Sequence, residues 1–271
     1  MNLEELVSNY EKSGLIRLDA VAKVCGEIVL QRIAKSSYSR NVTVKGGFVI
    51  MSISNDNRRT TRDLDLDFIK YSLEEKSIIS FIEKLGIANS DIFFKVESIK
   101  KLKHQDYNGK QVVIKISDNH NNVYDFKLDI GVHKNLELEQ EEYYFDISVL
   151  DEKVSLLINS KEQIFSEKLK SLLIMGIRTT RYKDLFDFYY LININKIDTE
   201  KFRSFVFDYI LKSDMREKSF YDIYNRLKLV LTNRAFLANL KKSKDNWLGI
   251  SIDEVVSSIL NFFKSLEKIE D

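Results

Sequence analysis

The chain has one cysteine, three histidines and no proline among its 271 residues. A lone Cys25 excludes an intramolecular disulfide, and one cysteine with three scattered histidines excludes a sulfur-rich metal site. Because proline is absent and no stretch is rich in glycine or serine, no linker of that kind separates the two halves of the chain. The cysteine usage fits a reducing compartment, and we expect a cytoplasmic protein.

The sequence also lacks a long apolar segment and an excess of either charge. Apolar runs such as 171–177 and 188–194 are well short of the ~20 residues that cross a bilayer. The first residues are acidic and contain no apolar signal-peptide core, so we expect no membrane partner. Lys plus Arg total 42 and Asp plus Glu total 41, so any binding of a polyanion must come from a local basic patch.

The length and the hydrophobic pattern predict two packed units. At 271 residues, 44% of them hydrophobic, the chain exceeds the usual domain size of about 100–150 residues. Residues 1–155 mix strand and helix patterns, which predicts a core built around one sheet. Residues 156–271 carry mainly long helical patterns, which predicts a helical domain that completes an active-site cleft. The expected fold class is α+β, with a mixed or antiparallel sheet followed by a C-terminal helical domain.

The period of the apolar residues predicts the individual elements. The predicted strands are 42–45, 63–68, 93–103, 110–117 and 123–132. The predicted helices are 19–33, 48–53, 74–85, 161–175, 183–191, 199–211, 216–230, 234–241 and 252–269. A short apolar piece at 154–158 carries no clear period.

The most informative segment is 63–67, in which aspartates alternate with leucines. Because successive side chains of a strand point to opposite faces, Asp63 and Asp65 share one face, with Asp67 one pleat further on. Mg²⁺ favours carboxylates, and Asp129, in a neighbouring strand pattern, is the third acid that we expect to join them and to activate an attacking hydroxyl. A solvent-exposed strand face that happens to be acidic would give the same alternation.

Paired glycines precede this strand. Gly46 and Gly47 follow the predicted strand 42–45 and begin an apolar helix, so their backbone N–H groups can approach a triphosphate with no side chain in the way. Two basic clusters are candidates for holding polyphosphate or an RNA end, although surface arginines that serve only solubility would give the same pattern. These clusters are Arg58, Arg59 and Arg62, and Arg178, Arg181 and Lys183.

The helical half carries further candidates. Lys168 lies at the edge of the apolar stripe of its predicted helix, where a lysine can bury its stem and present its ammonium to a cleft. Asp184 and Asp187 share a helical face with Arg181, which lies one turn before Asp184. A solvated lysine and an ordinary i,i+3 salt bridge are the alternatives, and the sequence leaves open which of the two acids is functional.

Together, four segments resemble the AbiEii/AbiGii nucleotidyltransferase toxin family, and they span most of the chain. The resemblance implies a polymerase-β-like nucleotidyltransferase fold, with Asp63 and Asp65 on magnesium, Lys168 on the nucleotide phosphates and Asp184 as a further catalytic acid. The wider superfamily often has a serine where this chain has Gly47, so backbone N–H groups must bind the phosphate here. The segments are Lys45-Gly46-Gly47, Arg59-Thr60-Thr61-Arg62-Asp63-Leu64-Asp65, Glu167-Lys168-Leu169 and Arg181-Tyr182-Lys183-Asp184-Leu185-Phe186-Asp187.

Members of this family act as toxins of bacterial toxin–antitoxin and phage-defence systems, and some relatives add nucleotides to tRNA 3′ ends. We therefore expect a Mg²⁺-dependent enzyme that transfers a nucleoside monophosphate from an NTP to RNA, with a tRNA 3′ end as the preferred acceptor and a cognate antitoxin as partner. Nucleotidylation or phosphorylation of a protein, and an RNA- or partner-binding scaffold without turnover, are the alternatives. The expected metal ligands are Asp63, Asp65 and Asp129, and the expected nucleotide-binding residues are Lys45, Gly46, Gly47, Arg59, Thr61 and Arg181.

Overall fold

The structure, a computed structural model, describes residues 1–86, 91–102, 109–133 and 140–267. Two predicted element ends, Lys103 and Ile269, lie outside the described residues. The chain divides into two compact units, Met1–Asn159 and Ser160–Asp271. The division predicted after residue 155 falls inside a strand of the first unit, which runs to residue 158.

Seven strands of the described residues form one mixed sheet in the first unit. They are β1 (Val42–Lys45), β2 (Asp63–Phe68), β3 (Ile92–Lys101), β4 (Lys110–Asp118), β5 (Val123–Val132), β6 (Glu141–Ile147) and β7 (Glu152–Ile158). Their order in the sheet is β3-β4-β5-β2-β1-β7-β6. β2 pairs parallel with β5 and β1 parallel with β7, whereas the other neighbours are antiparallel.

The described part of the first unit also contains four α-helices. They are α1 (Leu3–Lys12), α2 (Arg17–Lys35), α3 (Gly46–Ser54) and α4 (Glu75–Gly86). α2 packs across several strands. It also lies close to α3, and Gly26 allows this approach, since a Cβ there would lie 2.3 Å from the Phe48 ring. α3 begins at the residue that follows β1, so the chain passes from strand to helix without an intervening loop.

Alternation along β2 separates a core face from a polar face. Leu64, Leu66 and Phe68 are fully buried in the core. Asp63 and Asp65 point to the opposite face and stay partly exposed, as period two requires. The sheet therefore presents its carboxylates on the face that does not carry the apolar core.

The second unit is helical. Its core includes Phe165, whose ring stacks on Phe188 with centroids 4.3 Å apart. No helix of the described residues is long and apolar enough to span a membrane. The α-helices described here are α5 (Lys161–Met175), α6 (Lys183–Tyr189), α7 (Thr199–Val206), α8 (Phe220–Leu231), α9 (Arg234–Lys242) and α10 (Ile252–Glu267).

The predicted fold class, a mixed sheet followed by helices, is confirmed. Four elements, α8, α1, β6 and β7, differ from the sequence prediction. The helix predicted from Arg216 begins at Phe220, because Ser219 caps it by accepting a hydrogen bond from the backbone N–H of Asp222. The sequence did not predict α1 or β6, and the apolar piece 154–158 belongs to β7.

Candidate active site

The acidic face of the sheet is centred on Asp65 and Asp129. The parallel pairing of β2 with β5 aligns Asp65 with Asp129 and Asp63 with Lys127. Residues aligned on neighbouring strands point to the same face, about 4.8 Å apart, so the two carboxylates are neighbours. Burial raises the pKa of Asp129, and the nearby charge of Asp63 raises it further. The structure thus brings the three predicted acids to one face.

A glutamine completes the surroundings of Asp129. Gln111 on β4 is aligned with Asp129, and its Nε2 donates a hydrogen bond to Asp129 Oδ1 at 3.1 Å. This hydrogen bond opposes the rise in the pKa of Asp129 because it stabilises the charged carboxylate. Sequence analysis missed Gln111, since only the register of β4 against β5 identifies it.

The glycine turn lies directly against Asp65. Gly46 has a φ of +66°, which L side chains rarely adopt, and a Cβ placed on it would lie 2.0 Å from Asp65 Oδ2. Only a glycine lets the carboxylate approach the backbone this closely. The start of α3 and the acid pair, Asp65 and Asp129, are therefore parts of one site.

Gly47 lies against the side chains of Thr61 and Arg59, two of the expected nucleotide-binding residues. A Cβ at Gly47 would lie 2.8 Å from Thr61 Oγ1 and 3.5 Å from an Arg59 guanidinium nitrogen. Thr61 Oγ1 donates to Asp63 Oδ1 at 2.9 Å, and Arg59, which is buried, donates to the carbonyl of Thr60 at 2.8 Å. Thr61 and Arg59 occupy the space that the side chain of a serine would need, which explains the glycine at position 47.

Lys45 has a closer partner than was expected from its place beside the glycines. Its Nζ lies 2.8 Å from Asp67 Oδ1, and both side chains are almost fully buried. The antiparallel register places Lys45 opposite Asp65 and Thr43 opposite Asp67, so the ion pair crosses diagonally between β1 and β2. The structure therefore shows Lys45 neutralising Asp67, next to the acid pair.

The donor set fits magnesium. Within the described ranges, no group of three or more His, Cys, Asp or Glu side chains is arranged to hold a metal ion by itself. Magnesium rarely needs such a cage, because it keeps several waters and is usually bound through one or two carboxylates plus substrate phosphates. Asp65 and Asp129 supply two adjacent carboxylates beside a glycine turn. Binding of Mg²⁺ by Asp63, Asp65 and Asp129 stays a prediction.

A buried ionic cluster in the second unit contains the remaining candidates. The Lys168 ammonium forms an ion pair with Asp184 and lies 3.1 Å from Asp187 Oδ2. Arg181 is exposed, and its Nε lies 3.1 Å from Asp184 Oδ2. Both acids predicted as alternatives therefore contact the same lysine.

Trp247 also belongs to this cluster, and sequence analysis missed it. Its Nε1 donates to Asp187 Oδ1 at 3.2 Å, and Asp187 is fully buried. Trp247 lies in the segment between α9 and α10, far along the chain from α6. No local pattern marks it, because the contact depends on how the helices pack.

Comparisons with known proteins give a family match and a similar solved structure. Residues 28–251 match the family described as Nucleotidyl transferase AbiEii toxin, Type IV TA system. The crystal structure of an antigenic nucleotidyltransferase-like protein from Paracoccidioides brasiliensis aligns over 79% of this chain and 91% of that chain, with 19% identity and a TM-score of 0.45. No curated protein matches the chain. Since the family match covers most of its length, the chain belongs to the AbiEii family of nucleotidyltransferase toxins of type IV toxin–antitoxin systems.

Proposed function

We propose that this nucleotidyltransferase uses Mg²⁺ to transfer a nucleoside monophosphate from an NTP to the 3′-hydroxyl of an RNA, with a tRNA 3′ end as the preferred acceptor. The observation that most supports this is the alignment of Asp65 with Asp129 beside the close approach of Gly46. Membership of a toxin–antitoxin family implies a nucleotide substrate and an antitoxin that restrains the enzyme.

The residues of the sheet face suit the binding of a metal–nucleotide complex. Asp63, Asp65 and Asp129 would hold the metal, and Mg²⁺, when bound, supplies charge neutralisation to the triphosphate. The N-terminus of α3 offers backbone N–H groups at Gly46 and Gly47, and the helix dipole favours an anion there.

The cationic side chains of the second unit suit the binding of nucleotide phosphates. We assign Lys168 to the phosphates of the nucleotide, where its charge neutralises the leaving pyrophosphate. Asp184 and Asp187 fix the position of the ammonium group, because both contact it. Arg181 is a second cation for phosphate, held near Asp184 by their ion pair.

The transfer step uses Asp129 as the group that assists the acceptor. The acceptor oxygen forms a bond to the α-phosphorus while the bond from that phosphorus to the β-phosphate oxygen breaks, and pyrophosphate leaves. The proton of the hydroxyl passes to Asp129, whose raised pKa suits it to accept a proton. Gln111 holds the carboxylate in orientation through Oδ1. Such in-line transfer depends mainly on positioning and charge stabilisation.

Incubation of the purified protein with labelled NTPs, total RNA and Mg²⁺ tests the proposal. We expect label in RNA with the wild type, and none with Asp65→Asn or Asp129→Asn. Asp125→Asn is the matched control, because Asp125 lies on β5 with Asp129 but is exposed. Equal incorporation by wild type and Asp65→Asn would refute the proposal. Sequencing of tRNA ends after induction in cells then identifies the acceptor.

The same experiment separates the alternatives. Label in protein bands instead of RNA would indicate nucleotidylation or phosphorylation of a protein. Calorimetry that finds no Mg²⁺-linked NTP binding would indicate a scaffold without turnover. Expression without an antitoxin gene is expected to arrest growth, and Asp65→Ala is expected to relieve the arrest.

A further inference from the structure

A groove of about 600 Å³ in the second unit lies between the end of α5, the turn that follows it, and α8. Its lining includes three arginines, Arg178, Arg216 and Arg226. In the part of the chain that the structure describes, none of the three guanidinium groups forms an ion pair or a hydrogen bond. Guanidinium groups without partners beside a groove are donors for a phosphate, which they bind through paired N–H groups.

Three carboxylates line the same groove, so net charge alone does not define the ligand. Asp214 is exposed to solvent, and Asp222 already accepts a hydrogen bond from the backbone N–H of Lys218 at 3.0 Å. Glu217 differs, because it is only 7% exposed and has no hydrogen-bond donor among the described residues. Glu217 therefore presents at the groove a carboxylate that can accept a hydrogen bond from a ligand.

The groove also has an apolar wall. Ile174 and Leu229 line it and are 50% and 67% exposed, and the buried Leu173 lies beside them. Large aliphatic side chains at a groove offer packing area to a flat ring such as a nucleobase.

Gly176 allows a close contact beside the groove. Gly176, at the end of α5, has a φ of +55°, and a Cβ on it would lie 2.7 Å from Arg226 Nη2. The missing side chain lets the Arg226 guanidinium lie against the turn, on the side of Arg178. Arg178 and Arg226 therefore both lie near this turn at the groove.

We propose that this groove binds a ribonucleotide of the RNA acceptor, an inference that rests on the proposed function. The arginines bind the phosphodiester, Glu217 accepts a hydrogen bond from a ribose 2′-hydroxyl, and the apolar wall packs against the base. An acidic peptide would offer carboxylates to the arginines but no phosphodiester, ribose 2′-hydroxyl or nucleobase. One ribonucleotide supplies the phosphate, the donor and the flat ring together.

The test measures RNA binding by the purified full chain without NTP or Mg²⁺, using the fluorescence anisotropy of a labelled short single-stranded RNA. We expect Arg178→Gln and Arg226→Gln each to weaken binding about tenfold. Each should also make the negative slope of log affinity against log salt concentration less steep by about 0.7. Arg234→Gln is the matched control, because Arg234 is exposed on α9 and does not line the groove. Glu217→Ala should reduce the preference for RNA over DNA of the same sequence.

Three results would overturn the proposal. The first is an unchanged RNA affinity in both groove variants, and the second is an equal loss in the Arg234 control, which would indicate a diffuse basic surface. The third is normal RNA binding with loss of restraint by the antitoxin, which would make the groove a protein site. A wild type that binds RNA through the groove but transfers no nucleotide would refute the proposed function and support the groove, since binding is measured without turnover.

Discussion

Asp187 contacts Trp247 and Lys168 through its two different oxygens. Oδ1 accepts the indole N–H at 3.2 Å, and Oδ2 lies 3.1 Å from the ammonium. Asp187 is fully buried, and Trp247 is 4% exposed. The tryptophan therefore fixes the carboxylate that in turn fixes the lysine, and the single tryptophan of the chain is part of the ionic cluster.

Replacing Trp247 by phenylalanine keeps an aromatic ring but removes the indole N–H that donates to Asp187 Oδ1. We expect Trp247→Phe to lower the free energy of unfolding by about 1–3 kcal/mol, because a buried acceptor loses a hydrogen bond. Denaturation followed by circular dichroism measures the change. Tyr189→Phe is the control, since it removes a hydrogen bond to Glu254 at the surface. An equal loss in the two variants would contradict the buried role.

Removing the Lys168 ammonium should lower the free energy of unfolding more than Trp247→Phe does. Lys168→Met leaves Asp184 and Asp187 buried without their shared partner, and we expect a loss of about 3–5 kcal/mol in unfolding free energy. Lys201→Met is the control, because Lys201 is 40% exposed and lies 4.0 Å from Glu162, so its removal should cost no more than about 1 kcal/mol. Adding Asp184→Asn should recover part of the loss in Lys168→Met. Loss of transfer activity at unchanged stability would argue against this ionic anchoring.

The close approach of Gly46 to Asp65 gives a matched pair of variants. Gly46→Ala and Gly14→Ala both place a side chain at positive φ, which costs about 1–2 kcal/mol. Only the first meets a neighbour, since nothing lies within 4 Å of a Cβ at Gly14. We expect Gly46→Ala to slow nucleotidyl transfer by roughly 100-fold, the effect of a displacement of about 1 Å. Gly14→Ala should retain activity, and equal rates in the two variants would contradict the proposed site.

We expect Asp118 to contribute to the loss of folding stability of the first unit in acid. Its carboxylate accepts backbone hydrogen bonds from Leu3 at 2.8 Å, His120 at 2.9 Å and Asn122 at 3.0 Å. Burial alone would raise its pKa, but the Asn122 side chain and these N–H groups lower the pKa to about 2. Because the folded-state value lies below the ordinary value, this contribution to stability is present above about pH 4 and is lost as the pH falls through about 2.

Acid titration of unfolding free energy checks this. We expect the wild type to lose stability between about pH 4 and about pH 2 more steeply than Asp118→Asn, which is less stable near neutral pH. Asp125→Asn, at an exposed position of β5, should follow the wild-type curve. A wild-type curve parallel to that of Asp118→Asn would contradict the assignment.

The sequence predicted the carboxylate face because period two needs no tertiary information. The shared face of Asp63 and Asp65 follows from alternation alone, and the glycines mark a turn whatever surrounds them. The partners of these groups depend on register and packing. Gln111 reaches Asp129 only because β4 and β5 are aligned, and Lys45 turns to Asp67 only because β1 and β2 are antiparallel.

Two of the elements that were not predicted, β6 and α1, share a physical reason. Among the strands that the structure describes, β6 pairs only with β7 and forms an edge of the sheet, so polar and charged residues replace much of its apolar alternation. α1 is short and buries few side chains, including Leu3 and Val7, so its apolar stripe is brief. Edge position in β6 and small buried area in α1 leave few apolar residues to mark these two elements.

The parallel pairing of β2 with β5 also governs when the proposed enzyme becomes active during synthesis. Asp65 leaves the ribosome early, but Asp129 arrives only after α4 and the β3–β4 hairpin have been made. A nascent or prematurely terminated chain that stops before β5 holds the glycine turn without its second carboxylate. The proposed transfer would therefore require a chain that has been synthesised through β5.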